Sequence, residues 1–219
     1  MIFSNREQAA RLLAEKLVAY KGRNPLVLAI PRGAVPMAKI VADALGGEFD
    51  VVLVRKLGAP GNPEFAIGAI DETGWATLGP YAAMAGANAD YIERAKAHEL
   101  ETIRRRRAQY SPLHPPIDPQ GRIVIVVDDG LATGSTMLAA LHALRQRAPL
   151  KLVCAVPVAP PDTLEKVAEQ ADEVLCPYAP ENFQAVGQFY ADFGPVEDDE
   201  VVALLSGRRD SPERRAGVE

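Results

Sequence analysis

Residues 126–137 read VVDDGLATGSTM, a stretch in which a β-branched strand ends in two carboxylates and then runs through a loop of small residues into a helix. In open α/β sheets, ligands bind where strands end and helices begin, so this junction predicts both the fold and a site. Small residues let the backbone approach an anion, and free N–H groups and hydroxyls at a helix start favour a phosphate. The residues concerned are Gly130, Ala132, Thr133, Gly134, Ser135 and Thr136.

The two acids, Asp128 and Asp129, require a separate explanation, because adjacent carboxylates would repel a phosphate at the same spot. Carboxylate oxygens suit the hydroxyls of a sugar diol, or a magnesium ion that is reached through water. The alternative is that the loop only caps a helix and that both acids are solvated. That alternative accounts for ATGST but not for paired acids directly after a β-branched run, so the stretch predicts a site for a phosphorylated pentose.

Outward from this junction, strand and helix patterns alternate from residue 25 to residue 178, which is typical of an α/β protein. The apolar runs PLVLAI at 25–30 and RIVIVV at 122–127 have the length and composition of buried strands. We therefore predict a mostly parallel, twisted sheet with helices on both faces. Strands are predicted at 25–30, 49–54, 122–127, 150–156 and 173–177, and helices at 5–20, 88–109 and 162–170, before 46 and after 134.

Three further segments carry local predictions. KLGAPGNPE at 56–64 contains two Gly and two Pro, which predicts a loop rather than a strand or a helix. Residues 65–70 and 75–78 flank the turn-forming DETG and predict a hairpin. Ser4 and Glu7 have the spacing of a capping box, which predicts the start of the N-terminal helix.

Length and charge limit the class of protein. A chain of 219 residues with 48% hydrophobic composition is expected to form one globular domain. The net charge of −5 opposes binding to nucleic acid or to an anionic membrane surface. The four arginines at 104–107 end a helical pattern, where cations complement the helix dipole, so we predict a solvated helix face rather than a binding patch.

The cysteines and the hydropathy indicate the environment of the protein. Cys154 and Cys176 lie in apolar, strand-like segments without CxxC spacing, which predicts buried reduced thiols rather than a metal site. No segment approaches the roughly 18 apolar residues of a membrane span, and no secretory pattern opens the sequence. A cytoplasmic location is therefore expected.

The stretch VVDDGLATGST resembles the signature with which type I phosphoribosyltransferases bind 5-phosphoribosyl 1-pyrophosphate (PRPP). The resemblance implies the fold of that family and PRPP binding with Mg²⁺. It implies that Asp128 and Asp129 hold the ribose hydroxyls directly or through magnesium. Ala132 stands where some purine-using relatives have an aspartate, so no general base is assigned there. The implied cup for the 5′-phosphate consists of Ala132, Thr133, Gly134, Ser135 and Thr136.

Two other segments are similar to parts of the same family. Arg55 and Lys56 resemble the start of the mobile catalytic loop, which implies that they act in catalysis with the acidic pair and neutralise pyrophosphate. The alternative for them is a solvated basic strand end. Glu64, in the same loop, is a candidate for orienting a nucleophile or the loop itself. The turn after the first strand resembles the pyrophosphate-binding loop and supplies Arg32, Gly33 and Ala34.

The segment at 178–193 (YAPENFQAVGQFYADF) resembles the hood that covers the base in purine-using members. Phe183 and Val186 are the implied base contacts, and Asp192 is a candidate to meet a second magnesium. An aromatic stripe at this spacing is also typical of a core. The lysine that purine enzymes carry near the end of the preceding strand is missing, because residues 155–158 read AVPV.

The implied activity is that of a pentosyltransferase, which moves a 5-phosphoribosyl group from PRPP to a nitrogenous acceptor and releases pyrophosphate. The acceptor, a nucleobase-like small molecule, stays open. We expect one domain at 1–205, with a core at about 21–178, a hood at about 178–205 joined by the N-terminal helix, and a flexible tail at 206–219. Dimers are common in the resembled family, so a homodimer is expected.

The alternative function is a regulator of the same fold that senses PRPP or a nucleotide without catalysis. Dinucleotide binding is disfavoured, because no GxGxxG follows the first strand and that position reads PRGAVP.

Overall fold

The computed structural model describes residues 2–110 and 116–207, with the backbone alone for Glu64. The predicted role of the Glu64 side chain and most of the predicted tail lie outside the described residues. In chain order, the described strands are β1 (Leu26–Ala29), β2 (Glu48–Val51), β3 (Val54–Ala59), β4 (Asn62–Asp71), β5 (Ala76–Leu78), β6 (Ile123–Val127), β7 (Lys151–Ala155) and β8 (Glu173–Leu175). The described α-helices are α1 (Arg6–Lys16), α2 (Val35–Leu45), α3 (Ala89–Tyr110), α4 (Ser135–Arg145), α5 (Pro161–Ala168) and α6 (Asp198–Ser206).

Within residues 2–110 and 116–207, five strands form a parallel sheet in the order β2-β1-β6-β7-β8. The chain runs outward from β1 to β2 and then returns to the other side of β1 with β6. The strand order therefore reverses between β1 and β6, and a crevice opens at the carboxyl ends of these two strands. Both the loop at 31–34 and the loop that starts at Asp128 lie at this crevice.

Alternation along the strands builds a core on each face of the sheet, because successive side chains of a strand point to opposite sides. Val27 of β1 and Ile125 of β6 are buried with α1, α2, α3 and α6. Leu28 and Val126, their neighbours in sequence, are buried on the other face with α4 and α5. The predicted parallel sheet with helices on both faces is confirmed.

A smaller antiparallel sheet, β3-β4-β5, corrects one prediction. The segment 56–64 is not a loop, because β3 and β4 form a hairpin through it. Gly61 takes a φ of 72° at the turn, and the pairing register shifts on either side of Gly58. A Cβ at Gly58 would lie 2.6 Å from the carbonyl oxygen of Pro63, so glycine lets the two strands close. The predicted pairing of 65–70 with 75–78 is confirmed by β4 and β5.

The start of α1 corrects a second prediction. Asn5, rather than Ser4, is the N-cap, and its side chain accepts a hydrogen bond from the Gln8 backbone N–H. The carbonyl oxygen of Ser4 accepts instead from the backbone N–H of Asp192, because Phe3 and Ser4 run beside the segment at 189–192. The capping-box spacing of Ser4 and Glu7 was therefore misleading.

The predictions for the arginine run and for the cysteines each hold for some of the residues concerned. Arg104 is exposed as predicted, but Arg107 is largely buried and its Nη2 lies 2.6 Å from Oε2 of Glu72. Cys154 is buried and Cys176 is partly buried, and both carry free thiols. Burial raises the pKa of Cys176 to about 11. Of the helices in the described ranges, none combines the length and the apolar character that crossing a bilayer requires.

Candidate active site

The loop between β6 and α4 forms one side of a cavity of about 380 Å³. Gly134, with a φ of 75°, ends the loop, and α4 begins at Ser135. The hydroxyls of Thr133 and Ser135 lie 3.1 Å apart beside the free N–H groups of the helix start. The described residues that line the cavity are Lys56, Phe65, Ala66, Asp128, Gly130, Leu131, Ala132, Thr133, Gly134, Ser135, Thr136, Met137 and Val186. All five residues of the predicted phosphate cup are among them.

Contacts with the neighbouring loop and helix hold this loop in place. The hydroxyl of Thr163, in α5, donates to the carbonyl oxygen of Ala132 at 2.8 Å. The backbone N–H of Leu131 donates to the carbonyl oxygen of Val158 at 3.0 Å. A Cβ at Gly134 would lie 2.8 Å from Cγ2 of Thr163, so the loop packs tightly on α5. Sequence reasoning missed Thr163, because its spacing from the motif carries no local signal.

The two predicted acids have different surroundings. Asp128 lines the cavity, and its Oδ1 accepts a hydrogen bond from the backbone N–H of Asp129 at 2.9 Å. Burial, and next the charge on Asp129, raise the pKa of Asp128 well above the usual aspartate range. Asp129 is not among the described lining residues, and its Oδ2 lies 2.9 Å from both Nε and Nη2 of Arg6. Burial raises the pKa of Asp129 as well, against the opposing effect of Arg6.

The loop at 31–34 packs against the second acid, as expected for neighbouring strand ends. A Cβ at Gly33 would overlap Oδ2 of Asp129, so this approach requires glycine. The peptide between Pro31 and Arg32 is cis. The Arg32 guanidinium points toward the first turn of α6, with Nη1 at 3.4 Å from Oε2 of Glu197 and 3.8 Å from Oδ1 of Asp198. Its predicted contact with pyrophosphate stays a prediction.

The two cations of the hairpin face opposite ways, because they are consecutive residues of β3. Lys56 lines the cavity, whereas Nε of Arg55 lies 2.7 Å from Oε2 of Glu99 on α3. Phe65, from β4, also lines the cavity and is 46% exposed. Sequence reasoning missed Phe65, although an aromatic side chain directly after a Gly- and Pro-rich segment was a signal that could have been used.

The predicted hood residues also separate. Val186 lines the cavity and packs on the loop, since a Cβ at Gly130 would lie 2.7 Å from Cγ1 of Val186. Phe183 and Asp192 are not among the described lining residues. The ring of Phe183 lies 5.2 Å from that of Phe189, and Oδ1 of Asp192 accepts from the backbone N–H of Gly194.

A family model for the phosphoribosyl transferase domain matches residues 2–193. The chain belongs to this family. Its parallel sheet with helices on both faces and its small antiparallel sheet are the type I phosphoribosyltransferase fold. The resemblance that the residues at 126–136 carry is thereby confirmed.

Known relatives agree with this membership. The crystal structure of TT1426 from Thermus thermophilus is 47% identical in sequence and superposes with a TM-score of 0.79, covering 94% of this chain and 98% of that one. A Mycobacterium tuberculosis protein with a provisional phosphoribosyl transferase name, in strains CDC 1551 and H37Rv, is 42% identical over 208 residues. This match covers 93% of the present chain and 46% of the mycobacterial protein, so the chain spans about half the length of these curated relatives.

The donor set of the cavity fits the magnesium ion that the phosphoribosyltransferase family implies. Asp128 lines the cavity, and no group of three or more His, Cys, Asp or Glu in the described ranges could hold a metal alone. Mg²⁺ is commonly bound by one or two carboxylates together with water and the phosphates of a substrate. A nearby cation would also offset the burial that raises the pKa of Asp128.

Proposed function

We propose that the chain binds PRPP with Mg²⁺ and transfers its 5-phosphoribosyl group to a nitrogenous acceptor, with release of pyrophosphate. One observation carries the proposal: Asp128 and the cup at 132–136 line the same cavity at the crevice between β1 and β6. A phosphate and a sugar hydroxyl pair of one ligand can therefore meet their partners together. We also propose that the protein acts in the cytoplasm.

The described residues give each part of PRPP a partner. The N–H groups and hydroxyls at the start of α4 would bind the 5′-phosphate, as helix N-termini do. Asp128 would accept hydrogen bonds from the ribose hydroxyls, and Lys56, on the hairpin, would meet the pyrophosphate. The magnesium ion, when bound, would neutralise charge on the pyrophosphate and the carboxylate.

Catalysis would then be mainly electrostatic. Departure of pyrophosphate leaves positive charge on the ribose ring, and Asp128, which lines the cavity, would stabilise that charge once a nearby cation favours its ionised form. Lys56 would stabilise the negative charge on the leaving group. The hairpin forms the opposite wall of the cavity through Phe65 and Ala66, which would limit access of water to the reacting carbon.

The acceptor would lie between the hairpin and the hood. Phe65 and Val186 are the large apolar side chains that these two elements contribute to the described cavity wall. An aromatic face and an aliphatic side chain suit a planar ring but do not distinguish one base from another. Purine, pyrimidine and non-standard bases therefore all remain candidates.

A screen of nucleobases with PRPP and Mg²⁺, followed by measurement of released pyrophosphate, tests the proposal. We expect base-dependent release that Asp128→Asn reduces by roughly a hundredfold or more. Uptake of PRPP by calorimetry without release for any base would favour the sensing regulator. Absence of PRPP binding would contradict both functions.

A further inference from the structure

Arg6 lies in the first turn of α1, where the helix dipole disfavours a cation. Its side chain is nevertheless only 14% exposed, and its Nε and Nη2 each lie 2.9 Å from Oδ2 of Asp129. The guanidinium carbon lies 3.9 Å from the centre of the Phe193 ring, and Nη1 donates to the carbonyl oxygen of Gly194 at 2.6 Å. Arg6 is therefore a largely buried cation that is held by a carboxylate, a backbone carbonyl and an aromatic ring.

The partners of Arg6 come from three different parts of the site. Asp129 follows β6. Phe193 is the last residue of the segment that resembles the hood, and Gly194 directly follows that segment. The third part is the loop at 31–34, since a Cβ at Gly33 would lie 3.1 Å from Nη2 of Arg6 and would overlap Oδ2 of Asp129. Arg6 therefore links Asp129, the loop after β1 and the segment at Phe193 and Gly194.

These contacts occupy Asp129. Its Oδ2 accepts a hydrogen bond from Nε of Arg6 and forms an ion pair with Nη2 of the same guanidinium, and its carbonyl oxygen accepts from the Tyr190 hydroxyl at 2.6 Å. Burial raises the pKa of Tyr190 above the usual range, so this hydroxyl keeps its proton and remains a donor. Asp128, the other acid, lines the cavity.

We propose that Arg6 is a positioning residue for PRPP, which holds Asp129 and the loop at 31–34 in place and leaves Asp128 as the acid that meets the ribose. The proposal rests on the proposed function. It differs from what the family resemblance implies, because Asp129 then acts through its contact with Arg6 and Gly33 instead of touching ligand. Arg6 affects the pyrophosphate part of PRPP and leaves the phosphate cup unchanged.

Calorimetry with two ligands, each in the presence of Mg²⁺, distinguishes binding at the phosphate cup from binding at the loop after β1. Ribose 5-phosphate reaches the phosphate cup and Asp128, whereas PRPP also extends to the loop after β1. For Arg6→Gln we expect an affinity for ribose 5-phosphate within about twofold of wild type and a loss of about tenfold or more for PRPP. Arg6→Lys keeps the charge and should recover part of the loss. Arg11→Gln, an exposed arginine on the same helix, should change neither affinity.

A double-mutant cycle tests whether Arg6 acts through Asp129. If it does, Arg6→Gln combined with Asp129→Asn weakens PRPP binding no more than the stronger single change. Additive losses, or a loss of ribose 5-phosphate affinity in Asp129→Asn as large as that in Asp128→Asn, would overturn the proposal. Unchanged PRPP affinity in Arg6→Gln would also overturn it. Lack of PRPP binding by the wild-type chain would instead contradict the proposed function. Arg6→Lys provides the comparison if Arg6→Gln does not fold.

Discussion

Arg55 and Glu99 form an ion pair, with 2.7 Å between Nε and Oε2, that turns Arg55 toward α3 and away from the cavity that Lys56 lines. The two cations should therefore differ in function. We expect Lys56→Ala to lower PRPP affinity by at least about tenfold, because it removes a cation from the cavity wall. Arg55→Ala should stay within about threefold, because it removes a partly exposed pair. Calorimetry on both variants measures the difference, and equal losses would contradict it.

Asp128→Asn should separate stability from activity. Burial raises the folded-state pKa of Asp128, so its contribution to stability is complete at pH values below the unfolded pKa. That contribution is lost as the pH rises through the raised folded pKa. The amide has no such loss, so we expect the variant to have a higher Tm than wild type near neutral pH, and the difference to shrink as the pH falls.

The same variant should lose pyrophosphate release by roughly a hundredfold or more, because a charge at the reacting centre is gone. Thermal unfolding, measured at several pH values in buffer without divalent cations, tests the expected difference in Tm between Asp128→Asn and wild type. A Tm difference that grows toward acid would contradict the direction given for the Asp128 pKa.

Phe65 should contribute to the binding of the base and not to that of the phosphate. The ratio of the affinity for a nucleoside 5′-monophosphate to that for ribose 5-phosphate measures the contribution of the base to binding. Adenosine, guanosine and uridine monophosphates serve as probes. We expect Phe65→Ala to reduce this ratio roughly tenfold for the preferred nucleotide, as loss of base stacking does. The matched aromatic control is Phe183→Ala. The Phe183 ring lies against that of Phe189, so this change should leave the ratio unchanged.

Gly33→Ala should disturb both the fold and the site, because the added Cβ would overlap Oδ2 of Asp129. We expect a loss of about 1–3 kcal/mol in the free energy of unfolding, as is usual for overpacking. PRPP affinity should fall with it. Gly79→Ala is the control, since its Cβ would meet its nearest neighbour at 3.6 Å and should cost less than about 0.5 kcal/mol. Denaturant titration of both variants measures the contrast.

Much of the sheet could be predicted from the sequence because its signals are local. The run IVIVV at 123–127 is buried on both faces, as β6 shows, and the glycines and hydroxyls after it lie at a helix start whatever surrounds them. The site positions of Asp128 and the phosphate cup follow from the same local pattern. In a parallel sheet such strand-to-helix junctions lie at the same edge. The loop at 31–34 therefore lies beside the loop that follows β6.

The errors arose where distant parts of the chain determine local structure. The segment at 56–64 forms a hairpin because Gly58 and Gly61 fall at a register shift and a turn, positions that composition alone does not reveal. Ser4 does not cap α1 because its carbonyl oxygen is hydrogen-bonded to the segment at 189–192. Arg6 was missed because Asp129 lies 123 residues away, and its one local signal was a cation at a helix N-terminus.

The pairing of Phe3 with Tyr190 has a consequence for the order in which the protein matures. Contacts between residues so far apart in sequence pay a large loop-closure entropy and form late in folding. While the chain is being synthesised, the acids and the phosphate cup thus exist before the segment that fixes them beside Arg6 has emerged. Nascent chains should therefore acquire secondary structure first and competence to bind PRPP last.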